Sequence, residues 1–276
     1  MNYSEPSIHA LIQGGLGNQL FIIASLIGIS SKLSIPYLIQ PIHTPGITQR
    51  PSYWKTIFHK LQYTDVLPSS YMLINEQDCN TLINVDHIPK HYPLKLVGYF
   101  QSSYYFKPIR STLLDLFQLP WQEQTIVQYH WEQLTQYHNG PVIFIHVRRG
   151  DYLTLPHVFF VLSLEWYKRA VLHFSPDSLF LIFSDDPEWC LYNMTFLKNY
   201  KFVQHTDFID LFLMSQCDGG IIANSSFSWW GAYLNQKPNA RFVCPDIWLQ
   251  DRVPQRYIRN ELNWIEEPVK LTSTTQ

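Results

Sequence analysis

Near-continuous apolar runs alternate with stretches of helical spacing through the second half of the chain. Val142–Val147 is the first such run, the pattern of a strand buried on both faces. From Ser163 to Phe174, apolar residues at Trp166, Tyr167, Ala170, Val171 and Phe174 keep helical spacing behind Ser163, a residue type suited to the N-cap. The run SLFLIFSDD predicts a strand ending at Ser184. Asp186 and Pro187 then supply a cap and first-turn pair for a helix over 188–197. YKFVQH reads as a strand, TDFIDLFLMSQCD as a helix starting near Asp207, GGIIA as a strand, NSSFSWWGAYLN as a helix and ARFVCP as a last strand. Strands joined by short helices in this order predict a parallel sheet with right-handed crossovers.

The first half opens the same way, with IHALIQ as a strand, GGLGN as a tight turn, an apolar helix over Gln19–Leu33 and the strand IPYLIQ. Pro41 to Pro93 is irregular and rich in Pro, His and Tyr. LKLVGYF predicts a further strand, and Tyr104–Leu119 and Trp121–Tyr137 two helices. The polar, turn-forming HNGP at 138–141 marks a domain boundary. The expected fold class is α/β, with two Rossmann-like domains, 1–138 and 139–276, facing across a cleft.

Composition narrows the field of functions. The 276 residues are 46% apolar and only 15% charged, and the formal charge is −2. No basic face advertises nucleic acid. Cys79, Cys190, Cys217 and Cys244 show no metal-type spacing, and three of them fall in apolar segments that predict buried thiols. The N-terminus has no basic, apolar signal-peptide pattern, and no stretch approaches the ~20 apolar residues of a membrane span. The expectation is a cytoplasmic protein without an integral membrane segment, with peripheral membrane association left open.

Against so few charges, Arg148 and Arg149 at the end of the first strand of the second domain are conspicuous. In open parallel sheets, ligands bind beyond the carboxyl ends of the strands. Ser184-Asp185-Asp186, Gln204-His205 and Asn224-Ser225-Ser226 fall at equivalent ends. Arginine pairs bidentately with phosphate oxygens, and Ser225 and Ser226 open a helix whose N–H groups favour an anion, so the cluster suits a diphosphate. The alternative is that an arginine pairs with Asp151 to tie down its loop. Gly14, Gly15 and Gly17 would let backbone approach a ligand, with Asn18 and Gln19 offering side-chain donors; the alternative is a plain strand-to-helix turn. Asp185 and Asp186 do not predict a metal site, because Asp186 is placed to cap the next helix. A lectin without catalysis would suit the 16% aromatic content but has no need of paired arginines.

GGLGNQLF, GYFQS, HVRRGDY, FSDDPEW and ANSSFSWWGAYLN, in this order, resemble the alpha-1,2-fucosyltransferases of glycosyltransferase family 11. The likeness runs from Gly14 to about Trp248, and the His-x-Arg-Arg-x-Asp element is shared with a wider fucosyltransferase superfamily. The resemblance implies a GT-B architecture. It also implies GDP-fucose as donor substrate, no metal or other cofactor, inversion at the anomeric carbon, and a galactose-terminated glycan as acceptor. Arg148 and Arg149 would hold the diphosphate, His146 would line the nucleotide pocket, and Asp210 would read the guanine edge or else be a solvated helix carboxylate. Gly15, Asn18, Gln19, Ser184, Asp185, Asn224, Ser225 and Ser226 complete the expected donor site, and Asp151 and Asp185 are the candidates for general base. Another linkage or another nucleotide sugar is the alternative within the same architecture. Thr44 to Asn84 matches no motif of the family, and acceptor choice is expected there.

Overall fold

The computed structural model of the chain describes residues 5–41, 53–76, 81–249 and 263–270. They fall into two compact units that divide at Glu123/Gln124. Cys79 and parts of the 44–84 stretch lie outside the described residues.

The first unit is built on a four-stranded sheet of β1 (Ile8–Ala10), β2 (Tyr37–Leu38), β3 (Met72–Asn75) and β4 (Leu94–Val97), in the order β2-β1-β4-β3. Every pairing is parallel. Helix α1 (Leu16–Leu33) starts earlier than its apolar spacing suggests, because the glycine turn runs straight into it. Asn18 therefore sits in the first helical turn, and Gln19 N–H donates to Gly15 O at 3.0 Å. The helix ends at Ser34, whose φ of 58° turns the chain out of the helix. By length and composition α1 is long and apolar enough to cross a membrane, which corrects the expectation that no such stretch exists. Most of it is buried inside the structure, as befits a core helix.

Tyr104–Leu119 does not form one helix. Two short 3-10 turns, 103–105 and 107–109, precede α2 (Arg110–Leu116). Phe106, at φ −137°, leaves helical geometry, and Pro108 has no N–H to continue a ladder. Helix α3 (Trp121–Thr135) follows, and the division between the units falls inside it. The 138–141 turn lies within the second unit, directly ahead of its first strand.

The second unit has six parallel strands: β5 (Val142–Val147), β6 (Leu179–Ser184), β7 (Tyr200–Val203), β8 (Gly219–Ile221), β9 (Arg241–Pro245) and β10 (Ile265–Glu267). Their order is β10-β9-β8-β5-β6-β7. Between them run α4 (Leu164–Val171), α5 (Pro187–Asn193), α6 (Asp207–Gln216) and α7 (Ser226–Tyr233). The cap residues hold as expected: Ser163 Oγ accepts from Trp166 N and Asp186 Oδ1 from Trp189 N. Strand β10 was not anticipated, and its own three residues carry little apolar signal. Distant side chains dock it. Glu267 takes Arg169 Nε at 2.6 Å and lies 3.2 Å from His173 Nε2, while its carbonyl accepts from Trp166 Nε1.

Cys190, Cys217 and Cys244 are buried free thiols. Burial pushes the Cys190 thiol up to about 11, so it stays protonated and unreactive.

Candidate active site

Counted within the second unit, the strand order runs sixth, fifth, fourth, first, second, third. The chain winds outward in both directions from the β5/β8 pair, and the crevice beyond the carboxyl ends of those two strands is where such a sheet binds its ligand. His146, Arg148 and Arg149 leave β5 there, and Asn224, Ser225 and Ser226 follow β8. Ser184, the last residue of neighbouring β6, is in register with Val147.

The loops at this point are tied together by polar side chains. Arg148 Nη2 meets Asp151 Oδ1 at 2.8 Å and its Nη1 meets Asp185 Oδ2 at 3.0 Å. The loop-tying pair with Asp151 therefore exists, and the same guanidinium also reaches across to the end of β6. Arg149 is held differently. Its Nε donates to Asp186 Oδ2 at 2.9 Å, and its guanidinium lies 4.3 Å from the ring centre of Trp189. Its backbone N–H donates to Asp185 Oδ1 at 2.9 Å. Its two terminal nitrogens make no hydrogen bond to the described residues. The stacked, Nε-anchored guanidinium thus keeps its outer edge for an anion.

Both arginines are largely shielded, with side-chain exposures of 27% and 17%. Asp185 and Asp186 each partner an arginine, and no group of three or more His, Cys, Asp or Glu among the described residues is placed to hold a metal ion.

His146 is buried, with Nδ1 2.8 Å from Ser228 Oγ, and Tyr167 Oη donates to its carbonyl. Burial, reinforced by the charge of Arg148, pushes its imidazole down to about 3, so it is neutral at any working pH. Ser225 caps α7 by accepting from Phe227 N at 3.3 Å, and Ser226 begins the helix. Ser184 Oγ accepts from Asp186 N, a local role. The Asn224 amide nitrogen is also occupied by structure: Nδ2 donates to Phe160 O and Trp248 O, both at 3.1 Å. Tyr152 Oη donates to Asn224 O at 2.7 Å, its ring stacks on Phe159 at 4.1 Å, and Arg148 lies over it.

Asp210 is brought to a different place, beyond edge strand β7. It is not a solvated carboxylate. It accepts from His205 N at 3.2 Å, and its Oδ1 lies 3.2 Å from His205 Nδ1, while His130 packs against the His205 ring at 4.0 Å. Burial, partly opposed by the His205 N–H and assisted by Asp207, raises Asp210 to about 7. Burial lowers His205. Both shifts favour uncharged forms, so near neutral pH the contact is a neutral hydrogen bond more than an ion pair.

Gly15, Asn18 and Gln19 belong to the first unit, at the carboxyl end of β1. Gln19 Nε2 donates to Gly14 O at 2.9 Å, and Asn18 Oδ1 accepts from Gln101 Nε2 at 2.8 Å. Sequence reasoning passed over Tyr152, Trp189, Ser228 and Gln101. Helical spacing could have flagged two of them: Trp189 follows its cap Asp186 by three positions, and Ser228 follows Ser225 by three.

A neutral histidine, two shielded arginines and a serine-capped helix start, gathered at one switch point, can hold a phosphorylated leaving group and stabilise its growing charge. The proteins this chain resembles are named as sugar transferases. The chain is 33% identical over 164 residues to the O-antigen biosynthesis glycosyltransferase WbnK of Escherichia coli (55% of this chain, 54% of that protein). It is 32% identical over 137 residues to an alpha-1,2-colitosyltransferase of the same species (43% of this chain, 47% of that one). It is 30% identical over 167 residues to galactoside 2-alpha-L-fucosyltransferase SEC1 of Bos taurus (54% and 44%). The chain spans about half the length of these curated relatives. Among solved structures, a variant of Arabidopsis thaliana FUT1 in complex with GDP shares the fold. Its TM-score is 0.53 and its identity 12%, over 87% of this chain and 70% of that one. The α/β fold with two parallel-sheet units is GT-B-like, as expected. The model of Glycosyl transferase family 11 matches residues 12–267, from just before the glycine turn to the last residue of β10; the chain belongs to that family.

Proposed function

We propose that the chain transfers L-fucose from GDP-β-L-fucose, with inversion and without a metal, to the 2-hydroxyl of a terminal galactoside. The observation that carries the reading is the pair of shielded arginines at the β5/β8 switch point of a family 11 chain. The bond from the fucose anomeric carbon to phosphate breaks as the bond to the acceptor oxygen forms. Arg149 meets the diphosphate with its outer edge, Arg148 adds charge from the adjoining position, and the N-terminus of α7 supplies backbone donors. Asp151 is the more open of the two carboxylates on Arg148, at 45% side-chain exposure against 24% for Asp185, and takes the acceptor proton. The likeness to a colitosyltransferase supports a second reading, in which the linkage is kept and a different deoxyhexose is the donor sugar.

Thermal unfolding with nucleotides tests the donor half. GDP and GDP-fucose are expected to stabilise the protein, by about 2.7 kcal/mol at 100 times the dissociation constant. UDP and ADP should have no such effect, and EDTA should leave the response intact. An equal response to UDP would remove guanine recognition from the proposal.

Asp210 gives a pH dependence. Burial makes it hold its proton in the folded chain from the ordinary carboxylate range up to about pH 7. Over that interval the folded state binds a proton that the unfolded state has released, so stability declines as pH rises through it. Reading guanine N1–H and N2–H requires the ionised carboxylate, so GDP affinity should increase as pH passes about 7. Asp210→Asn should keep or raise the melting temperature above that pH and still weaken GDP binding. Titration calorimetry across the window checks both. A variant with unchanged GDP affinity would return Asp210 to a purely local partnership with His205.

A further inference from the structure

We propose that His205 is a positioning residue: its imidazole, braced by His130, sets the orientation in which the Asp210 carboxylate meets guanine. The inference rests on the reading of Asp210 as the guanine acceptor.

All three residues belong to the second unit. β7 stands two strands from β5, about 10 Å at the usual strand spacing, so a nucleoside diphosphate held at the arginines can reach it with its base. The chain leaves β7 through Gln204 and His205, and α6 begins behind Thr206, which gives it no side-chain cap. Asp210 lies one turn in, its N–H donating to Thr206 O at 3.0 Å, and its carboxylate folds back over the start of the helix.

The backbone contact alone does not orient that carboxylate. The His205 N–H lies 3.2 Å from Oδ1 and 3.4 Å from Oδ2, so it is shared almost evenly and the group can rock about it. The imidazole removes the symmetry. Its Nδ1 approaches Oδ1, at 3.2 Å, and pins one oxygen, which gives the outer edge of the carboxylate a defined direction. An ionised carboxylate has roughly four lone-pair sites, more than these two donors use, so both oxygens can still accept from a base.

His205 is in turn held from the side. His130 packs its ring against it, with centroids 4.0 Å apart and planes tilted by 48°. Of α3 only Val127 is buried, and Lys201 of β7 secures the end of that helix by donating to Leu134 O at 2.7 Å. His130 thus comes to His205 on a helix docked against the strand that His205 follows. Burial and the nearness of the two rings hold both imidazoles uncharged near neutral pH. His205 therefore meets an ionised Asp210 as the neutral tautomer with its proton on Nδ1, the form that donates.

A role confined to starting α6 would need only the backbone N–H, which any residue but proline keeps at this position. Loss of the side chain would then weaken every purine diphosphate alike. Orientation of the carboxylate instead governs discrimination between bases. Inosine diphosphate, which is GDP without the 2-amino group, presents N1–H and lacks the second donor. A correctly turned carboxylate registers that difference, and a rocking one does not.

Titration calorimetry of the purified protein with GDP and inosine diphosphate makes the test, run well above pH 7 to keep Asp210 ionised. The unaltered protein is expected to prefer GDP by about tenfold or more, the worth of one hydrogen bond to a charged group. His205→Phe keeps a ring against His130 and removes Nδ1; it should cut the preference to about twofold with little change in melting temperature. His205→Asn, whose amide can donate from close to the Nδ1 position, should restore most of it. His130→Ala leaves Nδ1 and Asp210 in place and should give a partial loss. An unchanged preference in His205→Phe, or equal weakening of both nucleotides, would overturn the positioning role. If Asp210→Asn keeps the preference of the unaltered protein, the guanine reading of Asp210 fails first and takes this inference with it.

Discussion

Arg148→Ala and Arg149→Ala are each expected to lower turnover by ~10² or more while the protein stays folded. In the proposed reaction negative charge grows on the leaving diphosphate as the glycosidic bond breaks, and a shielded guanidinium stabilises that charge far better than water does. The two variants should differ in what else they disturb. Arg148 bridges Asp151 and Asp185, so its loss frees two carboxylates beside the proposed diphosphate site. Arg149 is anchored by Asp186 and Trp189, so its loss leaves the Asp186 cap and the start of α5 in place. Arg149→Lys should recover little, because an ammonium offers neither the stacked plane nor the bidentate edge. Steady-state kinetics with GDP-fucose, alongside a melting curve, makes the comparison. Near-wild-type turnover in either alanine variant would reduce that arginine to its carboxylate partners alone.

The largest expected effect on stability is remote from this chemistry. Gly28→Ala should destabilise the protein by about 2 kcal/mol, although alanine favours an exposed helix by roughly 1 kcal/mol over glycine. Gly28 lies on the buried face of α1, against the backbone of the 103–105 turn. A Cβ there would run into the Tyr105 carbonyl and come within 2.8 Å of Phe106 Cα. Backbone cannot rotate aside as a side chain can, so α1 and the turn must separate. That movement would strain Phe100, whose carbonyl accepts from Ser25 on the same helix. A fall of roughly 5 °C in melting temperature is expected for a chain of this size. A rise would mean that helix propensity outweighs the clash.

How much of this was legible beforehand depends on the range of the interaction concerned. β5 and β6 were readable because strands buried on both faces are near-continuous apolar runs, and β5 ends at Val147, directly before the two arginines, as β6 ends at Ser184, directly before the two aspartates. Caps are local, so Ser163 and Asp186 could be named from three or four neighbours. Strands β3 and β10 were not readable. β3 is an edge strand with most residues exposed, and β10 is held by Arg169 and His173 from far along the chain. The arginines were placed correctly at a strand end, but their partners across 36 and 37 positions required the fold. For the same reason Asp210 could not be assigned to His205 from spacing alone, since the bond depends on how the turn after β7 closes onto α6.

The most direct test is the product itself. The protein, incubated with GDP-fucose and a terminal β-galactoside, should form a disaccharide linkage that NMR assigns as fucose joined alpha to the galactose 2-hydroxyl. Free GDP-fucose should hydrolyse far more slowly than it is transferred. Fucose on the 3- or 6-hydroxyl, or no transfer to any galactoside, would contradict the proposed reaction.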